Sequence, residues 1–238
     1  MSPFSNTTVV LVHGAFAENS SWTAVIERLT QNGVRAYAAS NPLRSVSADA
    51  RYVSDLVRSI DGPVVLVGHA YGGSVITEAT AVLSNVEALV YVSAFAPDTG
   101  ESAAQLTNLH PGSTLDGSVV ETPLSSGDID IRIRPEHFRR QFCADVDDST
   151  AITMAATQRA ISRRAMNEVL TASTPGWRRI PSWFVYGTAD RNIPEPTLAF
   201  FAERARSRGT TRVDGASHAL AVSQPEAVAQ SVFLAIAR

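Results

Sequence analysis

The stretch of sequence that decides the fold is Val65-Leu66-Val67-Gly68-His69-Ala70-Tyr71-Gly72-Gly73. Its first half is an apolar, β-branched run typical of a buried strand, and a helical pattern starts at Tyr71. Glycines stand two residues before and two residues after Ala70, where so tight a strand–helix turn leaves no room for a side chain. The residue between them is held in a strained backbone conformation, and its side chain projects above the sheet. The sequence therefore predicts a sharp turn that presents position 70 to a site.

Short apolar runs alternate with helical patterns on both sides of this turn. The predicted strands cover Thr8–Val12, Arg35–Ala39, Pro63–Val67, Val86–Val92, Ser182–Tyr186 and Thr210–Val213. Amphipathic patterns between them, such as residues 48–60, 194–206 and 225–237, predict helices. Alternation of this kind predicts an α/β fold with a mostly parallel sheet and helices on both of its faces.

The alternation stops between about residue 97 and residue 177, where we expect no strand. Residues 99–128 are rich in Gly, Ser, Thr and Pro and are expected to form a loop. Residues 135–171 have the pattern of two or three helices, which begin at Pro135 and after an Asp-Asp-Ser-Thr capping cluster. The expected organisation is an α/β core of residues 1–96 and 178–238 with a helical cap inserted at 97–177.

Composition excludes several classes of function. The chain has 238 residues and a formal net charge of −3, so no basic field favours nucleic acid or an anionic membrane. All 20 basic residues are arginine, which excludes chemistry that needs a lysine amine. Cys143 is the single cysteine and cannot form an internal disulfide. No apolar run reaches the ~18 residues of a membrane span, and no signal peptide is evident, so we expect a cytoplasmic protein.

Three further motifs follow predicted strands. His13-Gly14-Ala15-Phe16 comes after the first strand, and an acid-bearing loop, Gly187-Thr188-Ala189-Asp190, comes after the fifth. A histidine loop, Gly215-Ala216-Ser217-His218, follows the last short strand.

With these motifs the chain resembles the α/β-hydrolase superfamily, in particular the small esterase branch with plant methylesterases, hydroxynitrile lyases and bacterial relatives. The resemblance covers essentially the whole chain. It implies hydrolysis of a carboxylic ester or lactone through an acyl-enzyme, with position 70 as nucleophile, Asp190 as acid and His218 as base. It also implies an oxyanion hole formed by the backbone N–H groups of Ala15 and Tyr71, and neither a metal nor an organic cofactor. Asp98 is the rival for the acid.

The methyl group of Ala70 cannot attack a carbonyl carbon, so the chain is expected to be nearly inactive. Two explanations stay open: an engineered replacement of serine, or a natural homologue that binds a small ligand or runs another reaction, such as a lyase or a cofactor-free oxygenase. The intact acid, histidine and glycines favour the first. Lyase activity is disfavoured because those relatives use a threonine where this chain has Gly14 and a cap lysine that it lacks.

The expected partner is a small-molecule ester or lactone, and a homodimer stays open. The predicted pocket is apolar and lies under the cap. Its expected lining residues are Phe16, Trp22, Phe138 and Phe142, with Met154 and Met166 beside them. The alternative is that the cap aromatics are ordinary core of the cap helices. Four cap arginines (Arg132, Arg134, Arg139 and Arg140) fit recognition of an acidic group, although a solvated helix face is the preferred interpretation.

Overall fold

The computed structural model describes residues 6–238. Its strands are β1 (Thr8–Val12), β2 (Arg35–Ala39), β3 (Val64–His69), β4 (Val86–Val92), β5 (Val119–Pro123), β6 (Ile129–Ile133), β7 (Ile161–Ser162), β8 (Ser182–Gly187) and β9 (Gly209–Val213). Its α-helices are α1 (Thr23–Gln31), α2 (Val46–Arg58), α3 (Tyr71–Ala79), α4 (Ala103–Thr107), α5 (Pro135–Phe142), α6 (Asp148–Thr157), α7 (Arg163–Asn167), α8 (Glu195–Arg204), α9 (Leu220–Ser223) and α10 (Pro225–Ala237). None of the helices in this part of the chain is long and apolar enough to cross a bilayer.

The central sheet has six strands in the order β2-β1-β3-β4-β8-β9, and every neighbouring pair is parallel. The prediction of a mostly parallel α/β sheet is therefore confirmed. Side chains alternate along each strand, so Val10 and Leu66 pack against one layer of helices, which contains α2, α3 and α8. Val9 and Val65 point to the opposite face, which α1 and α10 cover.

The register of the strands gathers four loops at one edge. Val12, the last residue of β1, pairs with Gly68 in β3, and Val92 of β4 pairs with Val185 in β8. The segments that follow β1, β3, β8 and β9 therefore leave the sheet at the same end. This edge carries the motifs that the sequence singled out.

The expectation of a strand-free segment at residues 97–177 is wrong. This segment, the cap, contains α4 to α7 and a three-stranded antiparallel sheet in the order β5-β6-β7. Residues 99–128 are not a simple loop, because a capping box formed by Ser102 and Gln105 starts α4 and β5 follows. The predicted helices at 135–171 are present as α5, α6 and α7, with Pro135 in the first turn of α5 and the Asp147 carboxylate capping α6.

Candidate active site

The turn between β3 and α3 has the backbone strain that its glycines predict. Ala70 has φ 50° and ψ −119°, a conformation that side-chain-bearing residues rarely adopt. A Cβ added to Gly68 would lie 2.7 Å from the carbonyl of Gly72, and one added to Gly72 would lie 2.3 Å from the Val12 oxygen. Neither position has room for a side chain, so the turn depends on both glycines.

Asp190 and His218 form a buried hydrogen-bonded pair beside this turn. The two side chains are 0% and 2% exposed, and His218 Nδ1 lies 2.6 Å from Asp190 Oδ2. Because a carboxylate only accepts, Nδ1 donates in this bond, and whenever the ring carries a single proton its Nε2 atom is left as an acceptor. Asp190 Oδ1 accepts the backbone N–H groups of Asn192 at 2.8 Å and Ile193 at 2.9 Å, which fixes the carboxylate.

The structure brings Asp190, and not Asp98, to the histidine. Asp98 forms an ion pair with Arg178 and accepts the backbone N–H of Thr99. Its side chain is 27% exposed, whereas that of Asp190 is fully buried. A carboxylate in that setting orients the loop that leads into the cap and has no contact with His218.

The loop after β1 lies directly against the turn. A Cβ added to Gly14 would lie 2.7 Å from the Cβ of Ala70 and 3.1 Å from the Tyr71 nitrogen, so only glycine fits there. Ala15 and Tyr71 both line the same small cavity as Ala70 and His218. Within residues 6–238 the backbone N–H groups of Ala15 and Tyr71 have no acceptor. Two free backbone donors, one of them at the N-terminus of α3, suit a developing oxyanion.

Two further histidines, His69 and His13, form hydrogen bonds to backbone carbonyl groups of the loops that build the site. His69 Nε2 donates to the His218 carbonyl oxygen at 3.0 Å, and burial lowers the pKa of His69 well below its usual range. His13 Nδ1 lies 2.9 Å from the Gly14 carbonyl oxygen, and burial lowers its pKa to about 4. Both rings are therefore neutral at pH 7 and hold the loops of Gly14 and His218 through uncharged hydrogen bonds.

A buried polar pair that the sequence analysis missed anchors α3. The Tyr71 hydroxyl donates to Asp49 Oδ2 at 2.9 Å, and Asp49 also accepts the backbone N–H of Arg44. Burial raises the pKa of Asp49, and burial together with the Asp49 charge raises that of Tyr71 well above its usual range. This bond fixes the residue whose N–H faces the cavity. No sequence pattern links α2 to the turn, so the pair becomes visible only in three dimensions.

The predicted substrate residues fall into three environments. Phe16 lines the cavity, whereas Trp22 belongs to the core on the other face of the sheet and touches the edge of the His69 ring. Phe138 and Phe142 are fully buried and stack on each other. Neither of the two lines the cavity.

The cavity at Ala70 is narrow, with a volume of about 20 Å³. The side chains that line it beyond the predicted set include Phe95, Thr107, Leu115, Met166, Asn192 and Ile193. A groove of about 420 Å³ lies outside it and shares Phe16, Thr107, Leu115 and Met166. The groove therefore leads into the cavity from beneath β5, β6 and α7, and the cap supplies much of its wall. Met154, in contrast, lines a separate cleft next to α6.

Phe142 connects the cap to the histidine loop. Its carbonyl oxygen accepts the backbone N–H of Ala219 at 2.9 Å and the Ser217 hydroxyl at 3.3 Å. Its ring meets the edge of the His218 ring, with centroids 5.1 Å apart. The last turn of α5 thus positions His218 without lining the cavity.

The fold and this edge of the sheet together define a class of protein. The model of the alpha/beta hydrolase family matches residues 9–231, and the chain belongs to that family. An alpha/beta hydrolase from Aspergillus novofumigatus, nvfD, is 25% identical over 94% of this chain and 94% of its own length. Among the described residues, no group of three or more His, Cys, Asp and Glu side chains could hold a metal ion.

Solved structures that share the fold include two esterases. Polyneuridine aldehyde esterase superposes with a TM-score of 0.82 at 17% identity and covers 98% of this chain and 100% of its own. The methylesterase MES16 from Arabidopsis superposes with a TM-score of 0.81 at 15% identity and covers 97% and 99%. At these identities the likeness extends to the fold alone.

Proposed function

We propose that this chain carries the site of a serine hydrolase for small carboxylic esters or lactones, with Ala70 in the place of the nucleophilic serine. The observation that carries the proposal is one cavity lined by Ala70, by His218 in its bond to Asp190, and by the residues of two free backbone donors. The esterase names of two proteins with this fold support the substrate class. The site needs no metal or organic cofactor.

With serine at position 70, each group has a defined role. The serine oxygen attacks the acyl carbon while His218 Nε2 takes its proton, and Asp190 stabilises the imidazolium that forms. The N–H groups of Ala15 and Tyr71 hold the oxyanion. His218 then gives the proton to the leaving alcohol, and an acyl-enzyme remains. Water attacks this ester, His218 takes its proton and returns it to the serine oxygen, and the acid leaves.

With alanine at position 70, the oxygen atom that would form the bond to the acyl carbon is missing from these reaction steps. Sites that lose their nucleophile retain only ~10³–10⁴-fold catalysis over water, so we propose that the chain is nearly inactive. The strained backbone of Ala70 has no use in a structure without a nucleophile and costs roughly 1–3 kcal/mol. The retention of that strain, with the Asp190–His218 pair intact, supports an engineered replacement over a natural loss of hydrolysis.

The test is Ala70→Ser, because it restores one oxygen atom to an otherwise complete site. We expect turnover of p-nitrophenyl acetate to rise by ~10⁴-fold or more over the Ala70 chain. We also expect a fluorophosphonate to label the variant at position 70 and to abolish its activity. The matched control is Ala70→Ser with His218→Ala, which has the nucleophile but not the base and should neither turn over the ester nor be labelled.

A folded Ala70→Ser variant that is neither labelled nor active would contradict the proposal. That outcome would favour the second candidate, a natural homologue that binds a small ligand or runs a lyase or cofactor-free oxygenase reaction. Ala70 itself is the observation that supports this candidate. Soaking crystals of the Ala70 chain with esters would separate the two, since a hydrolase site without its nucleophile holds an intact ester with its carbonyl oxygen at Ala15 and Tyr71.

A further inference from the structure

A second cleft lies at the end of the sheet opposite the cavity at Ala70. Its volume is about 450 Å³, and it is bounded by the segment that leads into β8 and by the end of α8. Ser182, the first residue of β8, lines it, whereas Asp190 follows the last residue of that strand. The full length of β8 therefore separates this cleft from the cavity at Ala70.

The cleft has an unusual concentration of positive charge. Five arginines line it: Arg178, Arg179, Arg204, Arg206 and Arg208. Arg178 pairs with Asp98, and Arg204 pairs with Glu101. In residues 6–238 the other three have no ion-pair partner, and the side chains of Arg206 and Arg208 are exposed. A chain of net charge −3 thus carries a local positive field at this concave surface.

Two buried polar atoms of the cleft lack partners. Ser182 is 2% exposed, and its Oγ makes no hydrogen bond within the described chain. The same holds for Nε of Arg204, whose two terminal nitrogens donate to Glu101 and to the Ala96 carbonyl oxygen. Buried donors without an acceptor are uncommon in folded proteins. A ligand with several acceptor oxygens would offer hydrogen-bond partners to these donors.

The aromatic side chain of the cleft does not offer a stacking surface. The Arg178 guanidinium lies 4.6 Å from the centre of the Trp177 ring, and that of Arg204 lies 5.3 Å from it. Trp177 itself is 6% exposed, and its Nε1 donates to the Pro97 carbonyl oxygen. Recognition here therefore relies on guanidinium groups, which suit the bidentate geometry of phosphate oxygens.

We propose that this cleft binds a diphosphate group, supplied as inorganic pyrophosphate or as the phosphates of a nucleoside diphosphate. Arg179, Arg206 and Arg208 provide the charge, and Ser182 provides an inner donor. A diphosphate carries enough charge to match three guanidinium groups, and the cleft has room for it. The site is independent of the hydrolase proposal, because none of its residues lines the cavity at Ala70.

Isothermal titration of the full chain with pyrophosphate tests this site. We expect one molecule to bind at low ionic strength, and Arg206→Gln with Arg208→Gln to weaken binding on the order of tenfold or more, because two charge-assisted contacts are lost. The matched control, Arg132→Gln with Arg134→Gln, makes the same change in net charge at exposed cap positions and should alter affinity by less than about twofold. Ser182→Ala should weaken binding severalfold without a change in thermal stability, since its hydroxyl has no partner to lose.

Two comparisons complete the test. Arg206→Lys with Arg208→Lys keeps the charge but removes both guanidinium forks and should weaken binding severalfold, so the proposal stays testable if the glutamine variant does not fold. ADP that binds as tightly as pyrophosphate supports the diphosphate group alone as the ligand, and tighter binding of ADP supports a nucleotide. Absence of pyrophosphate binding, or equal weakening in the Arg132/Arg134 control, would overturn the proposal.

Discussion

The carboxyl edge of the sheet and the cap are held by different kinds of contact. At the edge, backbone meets backbone, and added Cβ atoms at Gly14, Gly72 and Gly187 would lie 2.6 Å or less from a carbonyl oxygen. Apart from a few backbone bonds, the cap meets the core through side chains, such as the 2.6 Å pair between Arg44 and Asp130 and the 2.7 Å bond from Ser47 to Glu168. Side-chain contacts tolerate substitution far better than backbone contacts. The groove can therefore change shape while the reacting groups stay fixed.

The largest expected effect lies at the edge. In the Ala70→Ser background, Asp190→Asn should lower kcat by ~10⁴-fold, because an amide cannot hold the imidazole in the required tautomer. Asp98→Asn is the matched control at the start of the cap and should change kcat by only a few-fold. Steady-state kinetics on p-nitrophenyl acetate measures both. If Asp98→Asn were the more damaging of the two, the assignment of the acid would be wrong.

A pair of glycines compares the two regions by stability. Gly72→Ala should lower the free energy of unfolding by about 3 kcal/mol or more, since the new methyl group would overlap the Val12 carbonyl oxygen. Gly117→Ala in the cap has no neighbour within 4 Å and should change it by less than about 1 kcal/mol. Urea unfolding followed by circular dichroism gives both values. Equal losses would show that the close approach at Gly72 relaxes at little cost.

Acid should weaken the edge before it weakens the cap. The pKa of buried His13 falls from about 6.5 to about 4 on folding, so the unfolded chain binds more protons in this range. His13 therefore destabilises the fold as the pH drops from about 6.5 to 4, by up to about 3 kcal/mol, and has no such effect above that window. Asp147 caps α6 in the cap, and hydrogen bonds from Ser149 and Thr150 lower its pKa. Its contribution to the free energy of unfolding is therefore lost only when the pH falls below the ordinary aspartate pKa of about 3.9.

The measurement is the free energy of unfolding as a function of pH, for the chain and for His13→Gln. The substitution removes the titrating ring, so the difference between the two curves should shrink as the pH falls from 6.5 to 4. Parallel curves over that interval would mean that His13 takes up its proton equally well in the folded chain.

The inner strands of the sheet were predictable because they are buried on both faces. Thr8–Val12 and Val86–Val92 are mostly apolar, with Glu87 as the one charged residue, and the structure gives both strands the predicted bounds. The cap strands escaped prediction because β5 is exposed and carries a proline, so its composition is that of a loop. The alternation Ile129-Asp130-Ile131-Arg132-Ile133 in β6 was a usable signal, since every second residue is apolar.

The residues of the site also fall into those that the sequence predicts and those that only the structure reveals. Position 70, Asp190 and His218 were accessible from sequence because their loops have fixed positions after strands of a fold with a known chain order. The cavity wall was not accessible, because it is formed by residues far apart in sequence, such as Phe95, Leu115 and Ile193. Their proximity depends on how the cap folds back over the sheet. Aromatic composition alone could not separate Phe16, which lines the cavity, from Phe138, which does not.

The bonds from Phe142 to Ser217 and Ala219 limit how far the two regions can be treated as separate modules. A chimaera that receives the cap of another hydrolase would also exchange the surface on which His218, the proposed general base, rests. Recombination points placed after Cys143 would keep α5 with the recipient sheet and leave that support intact. Points placed at residue 97 would replace it, together with the groove. Such hybrids would then show a changed substrate preference and a lower turnover at the same time. Both changes would occur although Ala70, Asp190 and His218 had not been altered.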